Sequence, residues 1–148
     1  MPGKTGMGLT KNIFLVDDDV DDQLFFTDAL TEIDERIQCS IANNGRDAIA
    51  QLKVMEKLPD ILFLDLNMPF MNGYECLSQL KNEQRLSKIP VVIFTTSNDP
   101  KDAEISHQLG AEVFLSKPNE FNQLRMKLER ILQLDFSNSS NFLTQYSV

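Results

Sequence analysis

Four short stretches hold the residues able to do chemistry. They are Asp17-Asp18-Asp19 with Asp21 and Asp22 behind it, Asp65-Leu66-Asn67-Met68-Pro69, Thr95-Thr96-Ser97 and Ser116-Lys117-Pro118. Brought together, they would supply several carboxylates, a hydroxyl and an ammonium. Crowded carboxylates repel, and one would take up a proton unless a cation joined them. Three oxygen-donating positions with room for water suit Mg²⁺, a hard ion that keeps part of its hydration shell. Lys117 can neutralise the remaining negative charge. Phosphoryl transfer needs a nucleophilic carboxylate, a metal to polarise the incoming group and donors for its equatorial oxygens. It needs little else, because positioning and charge stabilisation carry most of the reaction.

These residues must be placed by the elements around them. Ile13 to Val16, Ile37 to Ala42, Ile61 to Leu64, Val91 to Phe94 and Val113 to Leu115 are short apolar runs that read as buried strands. Residues at helical spacing lie between and after them: Leu24, Phe25, Ala29 and Leu30; Ala48, Ile49 and Leu52; Tyr74, Leu77 and Leu80; Ile105 and Leu109; Phe121, Leu124, Leu128 and Ile131. Five continuous apolar strands alternating with five helices predict an α/β fold, a doubly wound, five-stranded parallel sheet covered on both faces. In such sheets ligands bind at the carboxyl ends of the strands. The four chemical stretches follow the first, third, fourth and fifth strands.

The 148 residues suit one domain, with 42% hydrophobic and 24% charged residues. We expect a glycine-rich arm over residues 1–11, the domain over 12–134 and a Ser- and Asn-rich tail over 135–148. The "GKTGMG" of the arm lacks the upstream glycine of a phosphate loop and precedes a strand rather than following one. A net charge of −8 argues against nucleic-acid binding. It suits a divalent cation or a basic partner surface. Cys39 and Cys76 have no metal-ligand spacing and read as reduced thiols. There is no basic start with a long apolar run, and no apolar stretch approaches a bilayer span. The expectation is therefore a cytoplasmic chain that uses no membrane. His107 reads as a solvated residue of a surface helix.

Taken in order, the stretches "IFLVDDD", "DILFLDLNMPFMNGYE", "IPVVIFTTSN" and "AEVFLSKPNEF" resemble a response-regulator receiver domain of two-component systems, of the stand-alone type, over residues ~11 to ~134. The resemblance implies the flavodoxin-like (βα)5 receiver fold. It implies that Asp65 is the phosphoacceptor. Asp17 and Asp18, with Asp65, would hold Mg²⁺ (Mn²⁺ as a substitute), and the backbone carbonyl of Asn67 would complete that set. Thr95 matches the hydroxyl that bonds the phosphoryl group and reorients on activation. Lys117 matches the lysine that pairs with a phosphoryl oxygen. Pro118 matches a proline preceded by a cis peptide bond, which aims that lysine. Phe114 matches the aromatic switch, which turns inward when the threonine moves. The implied partners are a histidine kinase or histidine phosphotransfer protein as donor and a downstream protein target, with homodimerisation as one form of output. The implied role is signalling rather than substrate turnover.

Other readings are weaker. Asp17, Asp19 and Asp21 alternate as in an EF-hand loop, but Asp22 replaces the glycine and Asp28 the glutamate. A phosphatase of the haloacid-dehalogenase type needs a second aspartate where Asn67 stands. Asp19, Asp21 and Asp22 fit a helix N-terminus, where negative charge is favoured, and Asp21 and Asp22 are assigned to it. Arg125, Met126, Lys127 and Arg130 read as a solvated face of the last helix. Two departures from the receiver pattern bear on lifetime. Thr96 stands where many receivers carry alanine. Asn67 and Ser97, beside the acceptor, are neither carboxylates nor long amides able to orient attacking water, so self-dephosphorylation is expected to be slow.

Overall fold

A computed structural model describes residues 11–136. The expected arm and tail otherwise lie outside the described residues. The elements run β1 (Asn12–Val16), α1 (Val20–Ile33), β2 (Gln38–Ala42), α2 (Gly45–Val54), β3 (Ile61–Leu64), α3 (Gly73–Asn82), β4 (Val91–Thr95), α4 (Pro100–Gln108), β5 (Val113–Ser116) and α5 (Phe121–Leu132). A 3-10 turn, Leu86–Lys88, precedes β4. The five strands form one parallel sheet in the order β2-β1-β3-β4-β5.

Alternation along each strand divides the core in two. Phe14, Val16, Leu62, Leu64, Val91, Ile93 and Phe114 face α2, α3 and α4 with Ala48, Leu52, Cys76, Leu77 and Leu80. Ile13, Leu15, Ile61, Phe63, Val92, Phe94, Val113 and Leu115 face α1 and α5 with Phe26, Ala29, Leu30, Leu124, Leu128 and Ile131. Both faces are covered, which is why β1, β3, β4 and β5 are nearly continuous in apolar residues, while the edge strand β2 alternates, with Gln38 and Ser40 exposed. Leu134 and Phe136 also pack against the second cluster. On the surface, Arg125 of α5 pairs with Glu32 of α1 at 3.4 Å, and Met126 and His107 are exposed.

The order of the strands reverses between β1 and β3, so a crevice opens at their carboxyl ends. Its walls are set by helix starts. Asp19 caps α1, accepting a bond from the Asp22 amide at 3.1 Å. Asn72 and Glu75 form a capping box that starts α3. Gly73 lets α3 begin against the end of β3: its N–H donates to Leu66 O, and a Cβ there would lie 2.4 Å from Asp65 O and 2.6 Å from Leu66 Cα. In the same loop Phe70 has φ 68° and is 76% exposed, its ring beneath the Arg46 guanidinium at 5.8 Å. An aromatic residue in the left-handed region is strained.

These two positions should respond oppositely. Gly73→Ala pushes into backbone that cannot give way and should cost about 3 kcal/mol, lowering Tm by ~10 °C. Phe70→Gly relieves the strained φ and should raise stability by about 1 kcal/mol after the entropy cost of glycine. Urea unfolding of both variants checks the signs. A neutral Gly73→Ala would mean that α3 does not depend on this close approach.

Candidate functional site

The buried polar and charged residues among those described are Asp17, Asp65, Thr95 and Ser106. The first three stand at the carboxyl ends of β1, β3 and β4. Burying such groups is unfavourable without compensation, so their concentration at one edge marks it.

Asp17 extends β1: its N–H donates to Ala42 O at 3.1 Å, and its carboxylate is fully buried. Asp17 Oδ1 accepts from the Asp19 amide at 3.0 Å. The Gln23 side chain donates to Asp17 O at 2.6 Å and to Asn43 Oδ1 at 2.8 Å, joining the ends of β1 and β2. Asp65 extends β3 in the same way, its N–H donating to Val16 O at 3.0 Å. Asp65 Oδ1 accepts from the Asn67 amide at 3.3 Å, and Asn67 itself is exposed. Asp17, Asp18 and Asp65 each offer an oxygen within 4.8 Å of the others; Asp18 is the exposed member.

Lys117 arrives from the far side of the sheet. Its N–H donates to Thr95 O at 2.6 Å, extending the β4–β5 ladder. Its Nζ bonds Asp17 Oδ2 at 2.8 Å and Asp22 Oδ2 at 2.8 Å, lies 3.3 Å from Asp65 Oδ2, and sits 5.6 Å from the centre of the Phe94 ring. Burial pushes the Lys117 ammonium down, but its bonds to Asp17 and Asp22 and the charge of Asp65 outweigh this and hold it above the usual lysine range. Burial pushes the Asp17 carboxyl up, and the bonds from Lys117 and the Asp19 amide only partly offset it. One ammonium thus leaves negative charge unmet. Three clustered carboxylates, two of them buried, are the hard oxygen donor set that a divalent cation such as Mg²⁺ fits.

Thr95 is fully buried, and its Oγ1 accepts from the Ser97 amide at 3.4 Å. The Ser97 hydroxyl donates to Asp102 Oδ2 at 2.5 Å, and the Tyr74 hydroxyl donates to Asp102 Oδ1. Asp102 therefore ties the β4–α4 connection to α3. Thr96 is exposed. Phe114 is 1% exposed, already inward in the core beside α3 and α4.

One expectation is corrected. No peptide bond among the described residues is cis, so the Lys117–Pro118 bond is trans. Trans is the lower-energy isomer. The backbone bond to Thr95 and the three carboxylates aim the lysine directly.

The sequence reading missed four participants. Asp22 lies in the first turn of α1 as expected, but it also bonds Lys117. Helix side chains lean toward the helix N-terminus, so an acid in the first turn points back at the strand end from which the helix departs. That signal was available. Gln23 follows from the same rule. Tyr74 and Asp102, from different helices, had no local signal.

Comparison with known proteins agrees with this fold. The profile of the response regulator receiver domain matches residues 13–129. The probable transcriptional regulator ycf29 of Pyropia yezoensis is 34% identical over 118 residues, 78% of this chain and 52% of that protein. The chain thus spans about half the length of that curated relative. Among solved structures, the phosphorylated cyanobacterial phytochrome response regulator RcpA superposes with a TM-score of 0.75 at 30% identity, over 82% of this chain and 90% of that one. The Mn²⁺-bound form of response regulator Rcp1 gives a TM-score of 0.73 at 29% identity, over 82% and 91%. By sequence pattern, fold and matched span, this chain belongs to the response regulator receiver domain family.

Proposed function

We propose that the chain is a phosphoacceptor of a two-component phosphorelay and that Asp65 is the acceptor. The observation that carries this is the convergence of Asp17, Asp18 and Asp65 within 4.8 Å, with Lys117 3.3 Å from Asp65. The donor is the phosphohistidine of a histidine kinase or histidine phosphotransfer protein, met in the cytoplasm. An Asp65 oxygen forms a bond to phosphorus as the bond from phosphorus to the imidazole nitrogen breaks, and the imidazole leaves. Asp17, Asp18 and Asp65, with the backbone carbonyl of Asn67, would hold Mg²⁺, or Mn²⁺ in its place as the Mn²⁺-bound relative suggests. When bound, that ion neutralises charge on the carboxylates and on the phosphoryl oxygens.

The remaining work falls to the chain itself. Lys117 pairs with a phosphoryl oxygen. Thr95 turns its hydroxyl toward the phosphoryl group, giving up its contact with the Ser97 amide. That contact leads through Ser97 to Asp102 and Tyr74, so the movement biases the surface of α4 and β5. Phe114 is already inward, so the β4–α4 connection is the larger moving part. A downstream protein, or a second copy of the chain, reads the altered surface. The chain signals and does not turn over a substrate, beyond its own phosphorylation and slow hydrolysis.

Intact mass after incubation with phosphoramidate tests the acceptor. One phosphoryl adduct should form with Mg²⁺, none should form in a chelator, and none in Asp65→Asn. A folded wild-type protein with no adduct would make the chain an interaction module. The adduct should also last many minutes, because the Ser97 hydroxyl is committed to Asp102 and Asn67 cannot accept a proton from water. Ser97→Glu, which places a carboxylate beside the acceptor, should shorten it. Decay within seconds in the wild type would sink the argument from these two positions.

A further inference from the structure

Lys117 is held by more than the strand ends. Two of its carboxylate partners, Asp17 and Asp65, are also members of the cluster able to share a divalent cation. The same two groups therefore face competing claims from an ammonium and a metal ion. Every oxygen that Lys117 engages is withdrawn from the metal, and the two cations repel at this range. Asp22 is the partner that the cluster leaves free. Its side chain is 38% exposed, on the solvent side of a lysine that is itself 10% exposed. The Asp19 cap holds its backbone in the first turn of α1. An ammonium has three N–H donors, so one can stay on Asp22 while others meet a phosphoryl oxygen. Helix-dipole charge does not account for this contact. Asp21 supplies the same charge to the same turn, is exposed, and is not among the ion-pair partners of Lys117 in the described residues.

We propose that Asp22 is a positioning residue: it draws the Lys117 ammonium toward the rim, off Asp17 and Asp65, when a divalent cation enters. The inference rests on the receiver reading above. Its consequence is that Asp22 governs how tightly the unphosphorylated protein binds Mg²⁺. Without Asp22, the lysine falls back on Asp17 and Asp65 and competes with the ion.

Titration calorimetry with Mg²⁺ on the full chain tests this, alongside phosphoramidate labelling read by intact mass at saturating Mg²⁺. Asp22→Asn should weaken Mg²⁺ binding about five-fold, the scale of one half-exposed ion pair. Asp21→Asn, with the same change in net charge, should weaken it less than about two-fold, as expected for a screened exposed charge. Asp22→Glu should recover part of the loss. With Lys117→Met in the background, the two asparagine variants should become equal, because the competing ammonium is gone. Equal effects of Asp22→Asn and Asp21→Asn with Lys117 present would overturn the inference while leaving a wild type that binds Mg²⁺ and forms the adduct. A wild type that does neither would overturn the receiver reading, and this inference with it. If Lys117→Met does not fold, the Asp21 comparison and the Asp22→Glu rescue decide the matter on their own.

Discussion

Asp17 and Asp65 bring negative charge into the protein interior at the carboxyl edge of the sheet, and a single ammonium comes in to meet it. Buried charge is tolerated only when paired and hydrogen-bonded. Here the pairing spans the fold, because Lys117 follows β5 while Asp17 and Asp65 follow β1 and β3. Lys117 reaches Asp65 across β4, and Asp17 across β4 and β3, so the contact exists only in this strand order and register. The pairing of Val16 with Leu64 brings the two carboxylates level, and that of Thr95 with Ser116 brings the lysine up beside them. A slip of one residue in any of these ladders would turn the groups to the opposite face. Compensation is incomplete even so, since burial still outweighs the bonds that Asp17 receives. Groups of this kind concentrate at functional sites.

The rest of the molecule can be understood as the frame for that edge. Two apolar layers, one against α1 and α5 and the other against α2, α3 and α4, make the sheet rigid and keep its strands in register. The loops at the carboxyl edge are built differently from one another. The turn after β1 is short and acidic, and its own side chains start α1. The loop after β3 is shaped by the close approach of Gly73 and the capping box of Asn72 and Glu75, with an exposed, strained Phe70 at its tip. Strain of that kind persists only where the surroundings over-determine it.

The connection after β4 is the part that links the site to a distant surface. Thr95 is bonded to the Ser97 amide, Ser97 to Asp102 of α4, and Asp102 to Tyr74 of α3. Movement of one hydroxyl therefore bears on two helices through three hydrogen bonds. In the proposed signalling cycle, this chain of contacts is the element with two arrangements, and Phe114 serves as the packed wall beside it. Of the two thiols, Cys76 is buried and Cys39 half-buried, and neither is a member of this chain of hydrogen bonds. Burial pushes the Cys39 and Cys76 thiols up to about 12, so neither is poised for redox chemistry.

Hydrophobic runs and helical spacing are local properties, and they sufficed to place the five strands, the five helices and the four chemical stretches behind the strands. Asp17, Asp18, Asp65, Thr95 and Lys117 could be singled out because a parallel sheet leaves few places for a polar residue other than the strand ends. What the sequence could not decide depends on side-chain direction across long separations. Asp22 bonds a lysine 95 residues away, and Tyr74 and Asp102, 28 residues apart, meet across two helices. The trans bond at Pro118 and the inward seat of Phe114 were likewise settled by packing and by the ladder around them. Periodicity says which face a residue occupies. Only the assembled sheet, with its helices docked, says which charges end within bonding distance, because Coulomb and hydrogen-bond energies fall away over a few ångströms that no local pattern resolves.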